Sequence, residues 1–393
     1  MTPAARLLLA MAGMCSISNF HRAAVGVVAP ELAAELAMGP GVLGAANAAF
    51  FGALLLAQIP VGVALDRWGP RRLVAALTLP ASLGAAAQAL AWDAPSFLLA
   101  RFALGLGCAA SFMAAVVLAG RWHRGGALTR AIATTFAWAQ AGILLAGAPL
   151  AVLSGWVGWR GAFALSAALT TGLGALWWLL ARDDPPGAPP RIPPREPLRD
   201  ILLGQFRVWR TPGLWRILSL HVVAYAAMAT LLALWAGPFL HDVHGLSPAG
   251  RGWVLLAMGG AVPLGQLLVP PLERALGRDR AVAAMCGSVI AALLGLAAGP
   301  PLWAAVALLA LVCAATAYSV LLVTQGRMLF PDHLVGRGVT TVNLAQVVGS
   351  AALPVGMGLA VGALGYGAGF LLLAVCLALG LWGYLAGTAA PPR

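Results

Sequence analysis

Two arginines interrupt otherwise apolar stretches of this chain: Arg22 within residues 7–29 and Arg101 within residues 96–119. A guanidinium at membrane depth costs about 3 kcal/mol on insertion scales, so it usually faces protein or water and serves a function. Arg presents paired N–H donors that match a carboxylate or phosphate. No Asp or Glu lies deep in any apolar run; Glu31, Glu35, Asp93 and Asp242 fall near run ends. The imbalance points to an anionic or carboxylate-bearing ligand. The structural alternative is that Arg101 pairs with Glu31 or Asp93, or bonds helix-end carbonyls.

Cys15, Asn19, Arg22 and Gly26 recur at helical spacing and would form a polar stripe on one face. His21 falls about 100° away from it. Gln140, Tyr225, Tyr318, Asn343 and Gln346 are further polar groups within apolar runs. Each can bond a neighbouring helix or contact a ligand. His21 and His221 titrate near neutrality in water and are candidates to couple protons. Met11, Met14, Cys15 and His21 offer soft ligands that would suit copper, although Met on a helix more often packs. There is no His-Glu-x-x-His pair, Gly-x-Ser-x-Gly turn or Walker loop, so neither an enzyme nor a bound cofactor is expected.

The elements that must position these groups follow from composition. Of 393 residues, 61% are hydrophobic and 9% are charged, against roughly a quarter charged in a soluble domain. The solvent must be largely lipid. A span needs about 20 apolar residues, and lipid offers no partner to unpaired backbone, so the spans are helices. Twelve runs qualify: 7–29, 42–64, 73–91, 96–119, 128–152, 160–180, 215–239, 251–271, 281–299, 301–324, 338–361 and 367–387. The fold expected is an all-α integral membrane protein. The first run lacks a cleavage site and is expected to remain a span. Residues 181–214 are polar and Pro-rich, a linker composition. They divide the chain into bundles of six, 1–180 and 215–393.

The net charge of +12 comes with 24 Arg and no Lys. With the N-terminus inside, 20 of these arginines fall in cytoplasmic segments and only Arg160 and Arg251 in outer ones. That bias puts both termini in the cytoplasm of an inner-membrane protein. It also accounts for the basic balance without a nucleic-acid partner. The five Cys lie in apolar runs without metal or redox spacing.

The two halves echo each other. Leu65-Asp66-Arg67-Trp68-Gly69-Pro70-Arg71-Arg72 follows the second run, and Leu272-Glu273-Arg274-Ala275-Leu276-Gly277-Arg278-Asp279-Arg280 follows the eighth. Such repeats characterise secondary transporters. On these residues the chain resembles the major facilitator superfamily. Gly62 to Arg72 is similar to that family's signature between helices 2 and 3. Arg101-Phe-Ala-Leu-Gly105-Leu-Gly107 is similar to its helix 4 motif, with Leu104 where a Gln is common. Gly158-Trp159-Arg160 is similar to a common start of helix 6.

The resemblance implies two pseudo-symmetric six-helix bundles that alternate access to a cavity lined by helices 1, 4, 7 and 10. It implies gating roles for Asp66, Arg67 and Arg71, with Glu273, Arg274 and Arg278 as counterparts. Arg22, Asn19, His21, Arg101, Gln140, Tyr225, Tyr318 and Gln346 are then the candidate solute contacts. Partners would be a small-molecule substrate, protons or a counter-ion, and membrane lipid, with the protein a monomer. Proton-coupled drug exporters of this family carry Gly-Pro followed by a Gly pair in helix 5. Here Gly142-Ile-Leu-Leu-Ala-Gly147-Ala148-Pro149 keeps the Pro but not the rest. A drug or metabolite exporter and a copper importer are therefore the alternatives to an organic-anion carrier.

Overall fold

The structure, a computed structural model, describes residues 2–187, 208–330 and 335–387. Most of the proline-rich linker lies outside the described residues, with Arg191, Arg195, Arg199 and Arg207, as does Arg393.

Among the described residues the chain forms twelve long helices. They are α1 (Pro3–Glu35), α2 (Pro40–Trp68), α3 (Pro70–Ala89) and α4 (Ala94–Trp122). Next comes α5, which runs over Gly125–Leu145 and resumes at Ala148. The helix Ala148–Leu180 turns at Gly158, whose φ of 70° and ψ of 168° are not helical, so 148–157 complete α5 and 159–180 form α6. Then follow α7 (Leu214–Asp242), α8 (Pro248–Leu276), α9 (Arg278–Ala297), α10 (Leu302–Met328), α11 (Val335–Leu364) and α12 (Tyr366–Ala386). By length and composition nine helices among the described residues can cross a membrane. Helix α1 is not one of the nine, because Asn19, His21 and Arg22 sit in its middle.

Helix starts are set locally. Thr2 Oγ1 accepts from the Ala5 N–H at 3.2 Å. Asp93 and Ser96 form a reciprocal capping box at the start of α4. Tight α2–α3 and α8–α9 turns place Gly69 at φ 81° and Gly277 at φ 78°, a region closed to residues with a Cβ. The α5–α6 and α11–α12 turns repeat this with Gly158 and Gly365. Gly365 therefore serves the turn, whereas Gly369 packs against Met357 and Val361 of α11.

Contacts divide the chain into two compact units: Met1–Met38, Ala49–Arg195 and Leu246–Leu256 in one, Gly39–Ala48, Glu196–Gly245 and Ala257–Arg393 in the other. In the first, α1 packs on α5 and α6, and α3 on α4 and α6. In the second, α7 packs on α11 and α12, and α9 on α10 and α12. The pairings match after a shift of six helices. So do two local departures from α geometry, at Ala109–Ala110 in α4 and at the 3₁₀ turn Thr316–Tyr318 in α10.

The closest crossings rely on glycine. A Cβ on Gly142 of α5 would overlap the Ser16 carbonyl of α1, and one on Gly349 of α11 would overlap the Val222 carbonyl of α7. The helix 4 motif reads the same way: Gly105 faces Phe50 of α2, and Gly107 faces Ala81 of α3. Small residues let backbones approach where lipid provides no hydrophobic drive. Gly142→Val or Gly349→Val should therefore cost about 1–3 kcal/mol through overpacking. Gly172→Ala, with nothing within 4 Å of its added Cβ, should be neutral or slightly stabilising. Thermal unfolding of the purified variants in detergent checks the contrast.

Candidate functional site

Arg101 and Arg22 belong to the first unit but differ in how they are satisfied. Arg101 is 1% exposed. Its Nη1 donates to the His21 carbonyl at 2.8 Å, and its guanidinium carbon lies 4.6 Å from the centroid of the Phe50 ring. Arg101 thus ties α4 to α1 and α2, and finds a backbone carbonyl in mid-helix rather than Glu31 or Asp93. The bond also sets Arg101 level with Arg22. The His21 ring, itself buried, lies 2.9 Å through Nε2 from Thr170 Oγ1 on α6. Thr170 donates its own proton to the Ser166 carbonyl at 2.7 Å, so His21 Nε2–H is the donor of the pair.

Arg22 is half-buried. Its guanidinium carbon stands 5.2 Å from the centroid of the Phe112 ring on α4, and its buried Nε has no hydrogen-bond partner. No carboxylate forms an ion pair with it among the described residues. Beside it, Asn19 Nδ2 donates to the Ala139 carbonyl at 3.0 Å and lies 3.4 Å from Gln140 Oε1. Phe112 and Phe136 stack edge to face at 5.4 Å. The stripe expected along α1 is thus mostly consumed in packing. Cys15, Asn19 and Gly26 are buried, and the Cys15 thiol faces the Ser111 carbonyl at 3.6 Å. Arg22 alone of the four is left half-open. Met11 and Met14 are buried as well.

Arg251, which charge counting places in an outer loop, is 0% exposed. It pairs with Glu31 and also donates to the Val27 carbonyl at 3.3 Å, all within the first unit. An apolar run boundary gave no hint of this, because the ion pair spans 220 residues of sequence.

At the signature end of the first unit, Asp66 and Arg67 are exposed. Arg71 is held: its Nη2 donates to the Trp178 carbonyl at 2.8 Å, and its guanidinium lies over the Trp178 ring at 4.4 Å. The carboxylate that caps α3 is Asp183, accepting from the Arg71 N–H at 2.8 Å and lying 3.9 Å from Arg121. Sequence reasoning missed Asp183 because it stands at the edge of the linker, outside any motif.

In the second unit Glu273 and Arg278 pair at 2.6 Å, and Arg274 donates to the Pro270 carbonyl at 3.3 Å. Asp279, likewise missed, pairs with Arg216 at 2.8 Å and accepts from Tyr384 at 2.7 Å. Arg216, Arg278 and Asp279 line a cavity of about 620 Å³ with Gln325 and Arg280. Tyr318 is fully buried beside Cys286 of α9. Tyr225 and Gln346 are half-buried and Asn343 is exposed. His221 is fully buried, and among the described residues neither ring nitrogen has a hydrogen-bond partner.

The profile described as Major Facilitator Superfamily matches residues 10–354. The chain belongs to the Major Facilitator Superfamily. It is accordingly a multi-pass membrane protein with the superfamily fold. A bacterial homologue of the human lysosomal transporter Spinster, solved inward-facing and occupied, superimposes with a TM-score of 0.78 at 18% identity, over 99% of this chain and 97% of that one. The nucleoside transporter NupG does so with 0.75 at 14% identity, over 100% of both chains. A quinolone resistance transporter of Acinetobacter baumannii is 31% identical over 160 residues, 38% of this chain. The chain spans 37% of the length of that curated relative.

The helix 6 segment that resembles the superfamily has a mechanical role here. Trp159 Nε1 donates to Glu35 Oε2 at 2.6 Å and Arg160 Nε to Glu35 Oε1 at 2.9 Å. Arg160 Nη1 also caps the end of α3 through the Ala89 and Ala91 carbonyls at 3.0 and 2.6 Å. The Trp159 bond, then Arg160, lowers the Glu35 pKa. A depressed acid pKa stabilises the fold above the unfolded value, near 4.3, and that contribution is lost as pH falls through the folded value. The melting-temperature gap between wild type and Glu35→Gln should hold steady above about pH 5 and close below about pH 4. A gap independent of pH would contradict the linkage.

Proposed function

We propose that this superfamily member is a secondary transporter, not an enzyme, and carries a small anionic, carboxylate-bearing organic solute by alternating access. The observation that carries the reading is Arg22. Arg101 is engaged as a structural tie through the His21 carbonyl, whereas Arg22 keeps an unpartnered Nε and, among the described residues, has no carboxylate against it. A buried donor left without a partner costs about 1–3 kcal/mol, and a carboxylate ligand would remove that cost with charge-assisted bonds. Asn19, three residues away on α1, and its partner Gln140 would supply further polar contact. Arg101 and His21 then act as positioning residues. Tyr225, Tyr318 and Gln346 are the contacts we assign to the second unit, and protons or a counter-ion are the co-substrates.

The Arg distribution supports an inner-membrane location with both termini cytoplasmic. On that orientation the signature ends face the cytoplasm. Asp66, Arg67 and Arg71, and Glu273, Arg274 and Arg278, would stabilise one state of the transport cycle at those ends.

A second reading, a proton-coupled drug exporter, is favoured by the 31% identity to the quinolone resistance transporter. It predicts transport of lipophilic cations that is indifferent to Arg22. Uptake of radiolabelled carboxylates, amines and neutral solutes into proteoliposomes separates the two. We expect carboxylate uptake, reduced about 10- to 100-fold by Arg22→Ala, the loss of a charged hydrogen bond worth about 1.5–3 kcal/mol. Undiminished carboxylate uptake by the variant would remove the anion site.

A further inference from the structure

We propose that the Arg22 site selects aromatic carboxylates, with the ligand ring laid against Phe112 and Phe136 and its carboxylate on Arg22; this rests on the anion reading above. The residues form a closed circuit of neighbours in the first unit. Arg22 lies over Phe112 at 5.2 Å, and Phe112 meets Phe136 at 5.4 Å with an interplanar angle of 66°. Phe136 and Gln140 are one helical turn apart on α5, and Gln140 Oε1 stands 3.4 Å from Asn19 Nδ2. Asn19 and Arg22 are three residues apart on α1, which closes the circuit.

The circuit is amphipathic in a specific way. It joins a cation and an amide pair to two aromatic rings. The rings are not sealed in the core: Phe136 is 38% exposed and Phe112 half-buried. Edge-to-face rings present both a negative face and a positive edge, so a third flat ring finds complementary surface that a saturated ring of equal size does not. A guanidinium already poised over one ring favours a ligand whose own π-system extends from its carboxylate. The amide N–H₂ of Gln140 is not used in the bond to Asn19 and is oriented by it. That gives the site a donor for an oxo or second carboxyl oxygen on the ring.

The test uses purified full-length protein and three probes of matched size, 2-naphthoate, decahydro-2-naphthoate and 2-naphthamide, titrated calorimetrically. Wild type should bind 2-naphthoate about tenfold more tightly than the saturated acid, the worth of one or two ring contacts. It should bind the amide more weakly still. Phe112→Leu and the exposed-site variant Phe136→Leu should each narrow the preference for naphthoate over the saturated acid, while both acids remain favoured over the amide. Arg22→Gln should instead erase the preference for acid over amide. Equal binding of the two acids by wild type overturns the aromatic selectivity and leaves the anion reading standing. Equal binding of naphthoate and naphthamide overturns the anion reading, and the aromatic selectivity with it. No binding of naphthoate at millimolar concentration also overturns the proposal. Melting curves of each variant confirm that the fold is retained.

Discussion

The first unit depends on how closely α1 and α5 can approach. Gly142 leaves the Ser16 carbonyl uncovered, and only at that separation can Asn19 reach the Ala139 carbonyl and stand beside Gln140. A side chain at position 142 would push the helices apart and break both contacts. It would also move Arg22, which is less than one turn from Asn19. The second unit repeats the device with Gly349 over the Val222 carbonyl, 207 residues further on. The turn glycines Gly158 and Gly365 keep the same spacing. Backbone contact, rather than any side-chain likeness, is what the two units share most closely.

Three arginines of the first unit show how a membrane protein disposes of charge. Arg101 is sealed against a carbonyl and an aromatic face. Arg251 is sealed against a carbonyl and the Glu31 carboxylate. Each exchanges hydration for protein contacts, although Arg251 keeps its own Nε unmet beside the Glu31 carboxylate. Arg22 has an aromatic face but, among the described residues, keeps a buried donor unmet and has no anion against it. Low dielectric makes an unmet charge costly, and the same condition makes a matching ligand effective. Among the described residues Arg22 differs from the other two in combining an unmet buried donor with the lack of a facing carboxylate, not in depth or burial.

The signature segments follow a related logic. The Arg71 backbone is capped by Asp183, and its side chain closes the end of α6. In the second unit Asp279 sits among Arg216, Gln325 and Tyr384. Each unit thus fastens its own helix ends with a carboxylate outside the Asp66 and Glu273 positions. Asp66 and Arg67 themselves stay exposed.

The twelve helices, their approximate limits and the repeat were legible in the sequence, because hydropathy, Arg bias and turn glycines act locally. So was the anomaly of Arg22 and Arg101 as charges without a nearby acid. What the sequence could not separate was their fates. His21 is only one residue from Arg22 in the chain, yet its carbonyl is what satisfies Arg101, 80 residues away. Arg251 looked like a loop residue, and Asp183 like part of a linker, because their partners are set by helix packing. Phe112 and Phe136 read as ordinary apolar residues until α4 and α5 brought their rings together beside Arg22. Apolar periodicity fixes which segments are helices, since each must satisfy its own backbone in lipid. Which polar group is left without a partner depends on neighbours across helices, and only the tertiary structure decides that.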